Sequence, residues 1–221
     1  WPENRLPYLD ELRALIIPET ATTLAGLRSG KIDFIGKMGA QLRVIDQALS
    51  LQRTNPELQF YPFSTRSDNS ASMNVTKPPW NDIRVRHALQ MALNLEEINQ
   101  VFWGGYADTT PQTYLSSSFV GYVVPFEDWP EETKQYYRYD PEGAEALLDA
   151  AGYPRGADGI RFSTSVLFNQ LSGDSFDHAY VVKKYWEAIG IEVEIKSVDA
   201  DMWRELVYKT KAWEGIAPWR S

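Results

Sequence analysis

The chain carries two imidazoles, His87 and His178, and the most direct chemistry they offer is metal ligation. A helix presents two metal ligands on one face only at spacings such as His-x3-His or Glu-x-x-His. His87 and His178 fall on separate predicted helices without such partners, so both read as structural or surface residues. Acyl transfer has as little to stand on. Serine is frequent, but no Gly-x-Ser-x-Gly elbow occurs and no Ser, His and acid set can be singled out. The pairs Glu127-Asp128 and Glu131-Glu132 flank Trp129 and imitate the two carboxyls of a carbohydrate hydrolase, yet acid pairs on a polar loop are ordinarily just hydrated. Gly104-Gly105 and Gly156-Ala157-Asp158-Gly159 lack the lysine and the spacing of nucleotide loops and read as turns. Asn74-Val75-Thr76 fits the glycosylation pattern, a short one, and Asn74 reads as a strand residue. Arg84 and Arg86, beside Asp82, suit salt links at a helix start better than capture of an acidic ligand. Binding without turnover is the reading that needs no such constellation, with a carbohydrate hydrolase using paired carboxylates as its rival. Aromatic side chains give broad contact area at low entropy cost, and the chain has 8 Trp and 12 Tyr, most of them needed for the core. No catalytic residue, metal or cofactor is expected.

The bulk properties of the chain bound the choice further. With 221 residues, 43% of them hydrophobic and 13% aromatic, it can fill one large core or two small ones. The net charge of −8 comes from acids and bases mixed along the chain, with no basic stripe, which argues against nucleic acid as a partner. Apolar runs such as Leu15-Ile16-Ile17 are far too short to span a bilayer, and Trp1-Pro2-Glu3 is no signal peptide, so any export signal is expected outside these residues. Absence of cysteine excludes disulfides and thiol chemistry but fits either redox compartment.

The elements that must position a binding site can be read from periodicity and punctuation. Residues 11 to 17 read as a buried strand ending at Pro18, 19 to 29 as a helix ended by Gly30, and 32 to 35 as a second strand. The Leu42, Ile45, Ala48, Leu49 spacing gives another helix, and 58 to 64 a returning strand. Ser64 to Ser72 turns polar and reads as a crossing between lobes. Lys77-Pro78-Pro79-Trp80 is then held extended by its prolines and runs into a helix capped by Asn81 or Asp82, with Ile83, Val85, Ala88, Leu89, Ala92 and Leu93 as its apolar positions. Asn94 starts the next helix with a capping box to Glu97, and Gly104-Gly105 stops it. Residues 107 to 138 read as an irregular, aromatic-rich segment. A helix over 141 to 151 with proline in its first turn follows, then a strand over 162 to 168, a helix over 174 to 188, a half-buried or edge strand over 191 to 198, and a last helix capped by Asp199 and running through Tyr208.

These words and their order resemble the peptide-binding class, family 5, of the extracytoplasmic solute-binding proteins that serve ABC importers. The resemblance rests on Met73-Asn74, Pro78-Pro79-Trp80, Asp82-Ile83-Arg84-Val85-Arg86-His87-Ala88-Leu89 and Gly104-Gly105-Tyr106-Ala107. Upstream it extends to Leu6-Pro7-Tyr8-Leu9-Asp10-Glu11-Leu12 and Ala25-Gly26-Leu27-Arg28-Ser29-Gly30-Lys31-Ile32-Asp33. Downstream it includes Tyr139-Asp140-Pro141-Glu142-Gly143-Ala144-Glu145-Ala146-Leu147-Leu148, Ala151-Gly152-Tyr153 and Ile189-Gly190-Ile191-Glu192-Val193.

The resemblance implies an α/β fold of the periplasmic-binding-protein-like type II, two-lobed and present as a partial chain, with residues 1–66 part of one lobe and 67–221 most of the other. It implies a monomer outside the cytoplasm, periplasmic or membrane-anchored, that binds a peptide or another small solute between its lobes and delivers it to a membrane permease. Other members take oligosaccharides or nickel complexes. In the family an aromatic residue precedes an acidic anchor for the ligand, and the motif match puts Trp219 at or near the aromatic position, with no acid after it in Arg220-Ser221. Arg66, Asp68 and Asn69 at the crossing, Asn169 after a strand and Lys209 near the last helix are further candidates for polar contacts with a ligand.

Overall fold

A computed structural model describes residues 7–35, 45–61, 70–111, 121–169 and 175–219. Contacts divide the chain into two compact units, Trp1–Pro62 and Phe63–Ser221.

In the first unit the described regular structure is two helices, α1 (Thr20–Arg28) and α2 (Ile45–Thr54). Leu24 on α1 and Leu51 on α2 are buried, and the Arg28 guanidinium reaches Ser50 Oγ at 3.5 Å. The turn after α1 closes when the amides of Lys31 and Ile32 both donate to the Gly26 carbonyl, at 2.9 and 3.2 Å. That fold-back sets residue 26 against the Ile32 side chain, which would have to shift for a Cβ there, at 2.5 Å from its Cδ1. The strands expected over 11 to 17 and 32 to 35 are absent, as is the described part, 58 to 61, of the third. Leu12 and Leu15 are exposed, and Ile16 is 95% exposed. An apolar run announces a wish for burial, but a strand exists only where a neighbour completes its ladder of N–H and C=O groups, and no described segment of this unit does so.

The second unit is built on a four-stranded sheet of β1 (Ser70–Met73), β2 (Phe162–Asn169), β3 (Ile191–Val198) and β4 (Ile216–Trp219), in the order β1-β4-β2-β3. β2 pairs in parallel with β3 on one side and β4 on the other, while β1 runs antiparallel to β4. Parallel neighbours need crossovers. α7 (Ser175–Ala188) makes the first, from β2 to β3. The second, from β3 to β4, starts as α8 (Ala200–Trp203) on the Asp199 cap and widens into a π turn over Arg204–Lys209, where one regular helix was expected. β4 itself was not anticipated, and Asn74, expected in a strand, lies just past the end of β1.

Among the described residues the unit has four further α-helices, α3 (Ile83–Met91), α4 (Leu95–Trp103), the short α5 (Glu131–Lys134) and α6 (Pro141–Ala150). Their starts are local decisions. The side chain of Asp82 accepts from the Arg84 amide at 2.8 Å, Asn94 from Glu97 at 3.1 Å and Asp140 from Gly143 at 2.9 Å, each satisfying an otherwise orphaned donor. Gly104 ends α4 with φ 56°, a left-handed conformation that suits glycine.

The alternation of strand side chains decides which face each residue serves. Val166, Phe168 and Ile216 enter the main core with Leu89, Leu148 and Ile191, whereas Leu167 and Ala217 face a second cluster with Val207 and Trp213. β2 is therefore buried on both faces, and the strict buried-exposed alternation that opens β3 marks an edge strand. Trp186 Nε1 donates to the Leu89 carbonyl at 3.1 Å, tying α7 to α3 through the core. At the base of the sheet the Arg161 side chain is only 2% exposed yet fully engaged. It donates to the carbonyls of Ile189 and Tyr153, to Glu145 at 2.8 Å and to Asp149, so a buried cation clamps α6 to the start of β2 and β3.

Candidate functional site

The topology of the second unit brings several of the expected positions to one end of the sheet. β2 and β4 run in parallel with Val166 opposite Ile216, and Asn169 and Trp219 each lie three residues beyond that pair. Asn169 stands opposite Val198 at the end of β3, and Trp219 stands opposite Ser70 at the start of β1. The C-terminal ends of three parallel strands thus meet the entry of an antiparallel one. Open α/β sheets bind ligands outside the carboxyl ends of their strands, because loops diverge there and leave a crevice. β2 runs one residue further than expected, so Asn169 is its last residue and not the one after it, and it is half-buried. Arg66, Asp68 and Asn69, which precede β1, lie outside the described residues.

Lys209 is not part of this gathering. The chain leaves β3 at its carboxyl end and returns along α8 and the π turn, so Lys209 closes the turn near the opposite end of the sheet, two residues before Lys211, whose carbonyl accepts from the Asn74 side chain past the end of β1. The Lys209 ammonium is exposed and bound to Glu205 Oε2 at 3.0 Å. Gly215 then lets the chain enter β4 tightly against β2: its φ is 85°, and a Cβ there would stand 2.2 Å from the Ser165 carbonyl oxygen.

Several of the residues weighed for other chemistry have structural partners. Asn74 is buried, its Oδ1 accepting from Thr76 Oγ1 at 2.7 Å and its Nδ2 donating to the Lys211 carbonyl at 3.4 Å, so both ends of its amide have partners within the fold. Arg84 binds Asp82 and the Ala150 carbonyl, and Arg86 donates to the Trp80 carbonyl at 2.5 Å, which secures the entry and the flank of α3. Glu131 is bonded to Lys134 at 3.0 Å and Arg138 at 2.7 Å, and these bonds hold its carboxyl below the usual range. A glycosidase acid needs the opposite shift. Glu145 is likewise held down to about 2, chiefly by hydrogen bonding to Arg155, with Arg161 adding to the effect. Among the described residues no group of three His, Asp or Glu stands together as a metal site.

One concavity was not foreseen. Ala71, Met73 and Val75 on one side, and Arg86, His87, Gln90 and Tyr137 on the other, line an open groove of about 270 Å³. The His87 ring stacks on Tyr136, with centroids 3.7 Å apart and planes at 19°, and burial followed by the nearby Arg86 charge lowers its pKa. Nothing in sequence marked this groove, since one wall depends on β1. The buried Arg161 was also missed, although Glu145 and Asp149, four apart on α6, offered a signal: they share a helix face and call for a cation.

Comparison with known proteins adds an independent line. The model of the bacterial extracellular solute-binding proteins, family 5 Middle, matches residues 1–215. The glutathione-binding protein GsiB of Salmonella choleraesuis (strain SC-B67) is 29% identical over 200 residues, covering 90% of this chain and 35% of that protein. The oligopeptide binding protein from Thermus thermophilus, solved with a pentapeptide, superposes with a TM-score of 0.67 at 21% identity, over 93% of this chain and 36% of the other. NikA from Brucella suis in complex with Fe(III)-EDTA superposes with a TM-score of 0.67 at 18% identity, over 93% and 40%. At such identities the likeness establishes the fold, the α/β fold of periplasmic binding proteins. The chain spans about a third of the length of curated relatives that it matches, 35% in the case of this GsiB.

Proposed function

The chain belongs to the bacterial extracellular solute-binding proteins of family 5, and from that premise we propose that it is part of the substrate-binding component of an ABC importer, one that holds a peptide or peptide-like solute for delivery to a membrane permease. The observation that carries this reading is the meeting of strand ends at Asn169, Trp219 and Ser70, where an open α/β sheet offers a ligand its crevice. The ligand is trapped and released unchanged. Carboxyls held down by cationic neighbours, as at Glu131 and Glu145, suit ion pairing and not proton donation. Both the GsiB and the Thermus proteins are named for peptidic ligands, which favours a peptide over the metal chelate present in NikA. The setting is extracytoplasmic, as the family name states, and among the described residues no helix is long and apolar enough to cross a membrane.

A thermal-shift screen of the full-length protein against di- to pentapeptides, glutathione, oligosaccharides and nickel or iron chelates tests the proposal. A ligand that binds only the native state stabilises it by about 2.7 kcal/mol at a hundred times its Kd. A peptide or glutathione should raise the melting temperature and be recovered intact by mass spectrometry. A shift only with a metal chelate would move the assignment to that cargo, and conversion of the ligand would overturn the transport reading.

A further inference from the structure

No further inference is drawn: the strongest candidate, the open groove between the edge strand β1 and α3 that Met73, Arg86, His87 and Gln90 help to line, is an unpartnered face, and nothing in the structure shows what covers it.

Discussion

In the unit that spans Phe63–Ser221, Leu148 and Ile191 are fully buried, whereas in Trp1–Pro62 the comparably apolar Ile16 is 95% exposed and Leu12 is 72% exposed. Both regions contain short apolar runs alternating with helices. What separates them is partnership: β2 has a strand on each side and helices on its faces, and the run at 11 to 17 has no strand partner among the described residues. The hydrophobic effect rewards area removed from water, so a run of leucine and isoleucine stabilises only what it can be covered by.

The largest effect that sharpens this contrast comes from the core. Leu148→Ala should cost about 2–5 kcal/mol in urea unfolding followed by tryptophan fluorescence, while Ile16→Ala should stay within about 0.5 kcal/mol. Equal losses at both positions would erase the distinction between the units.

The Arg161 clamp should come next. Arg161→Met removes the donor from two carbonyls and two carboxylates, and a loss of about 2–3 kcal/mol is expected from the groups left unpaired. The same variant has a pH signature. The folded Glu145 carboxyl titrates near 2, well below its ordinary 4.5, so its contribution is complete above about pH 4.5 and is lost as pH falls toward 2. Loss of Arg161 should flatten the acid limb of the stability profile only in part, because Arg155, the larger cause, keeps most of it.

A smaller effect is expected at a cap. Asn94→Ala leaves the Glu97 amide without its acceptor and should lower stability by about 1 kcal/mol, with loss of helical circular dichroism from α4. At His87 the change is smaller still. Its folded pKa is depressed, so the stability it contributes is present above its ordinary value of about 6.5 and declines as pH drops below it. His87→Gln should remove that dependence, and an unchanged profile would mean that burial and the Arg86 charge do not favour the neutral ring.

Why some of this was legible in sequence and some was not follows from the range of the interactions. Caps are written within four residues, so Asn81-Asp82, Asn94 and Asp199 announced α3, α4 and α8, and the proline at 141 announced the first turn of α6. β2 and β3 are long enough for alternation to show. β4 is four residues with Pro218 among them, and it is a strand because Ser70 to Met73 and β2, both far away in the chain, flank it. The π turn that carries Lys209 away from the strand ends leaves no mark in a pattern of helical period. Of the candidate site, Trp219 and Asn169 could be named from the family resemblance and from a strand's end; that they share one end of a sheet is a property of register, which no local pattern contains.

The most direct measurement is calorimetric titration of the full-length protein with its best peptide, comparing Trp219→Ala at the strand ends with Lys209→Ala on the returning turn. We expect Trp219→Ala to weaken binding at least tenfold, about 1.4 kcal/mol, and Lys209→Ala to leave Kd unchanged. Binding that survives Trp219→Ala but is lost in Lys209→Ala would contradict a ligand site at the carboxyl ends of the sheet.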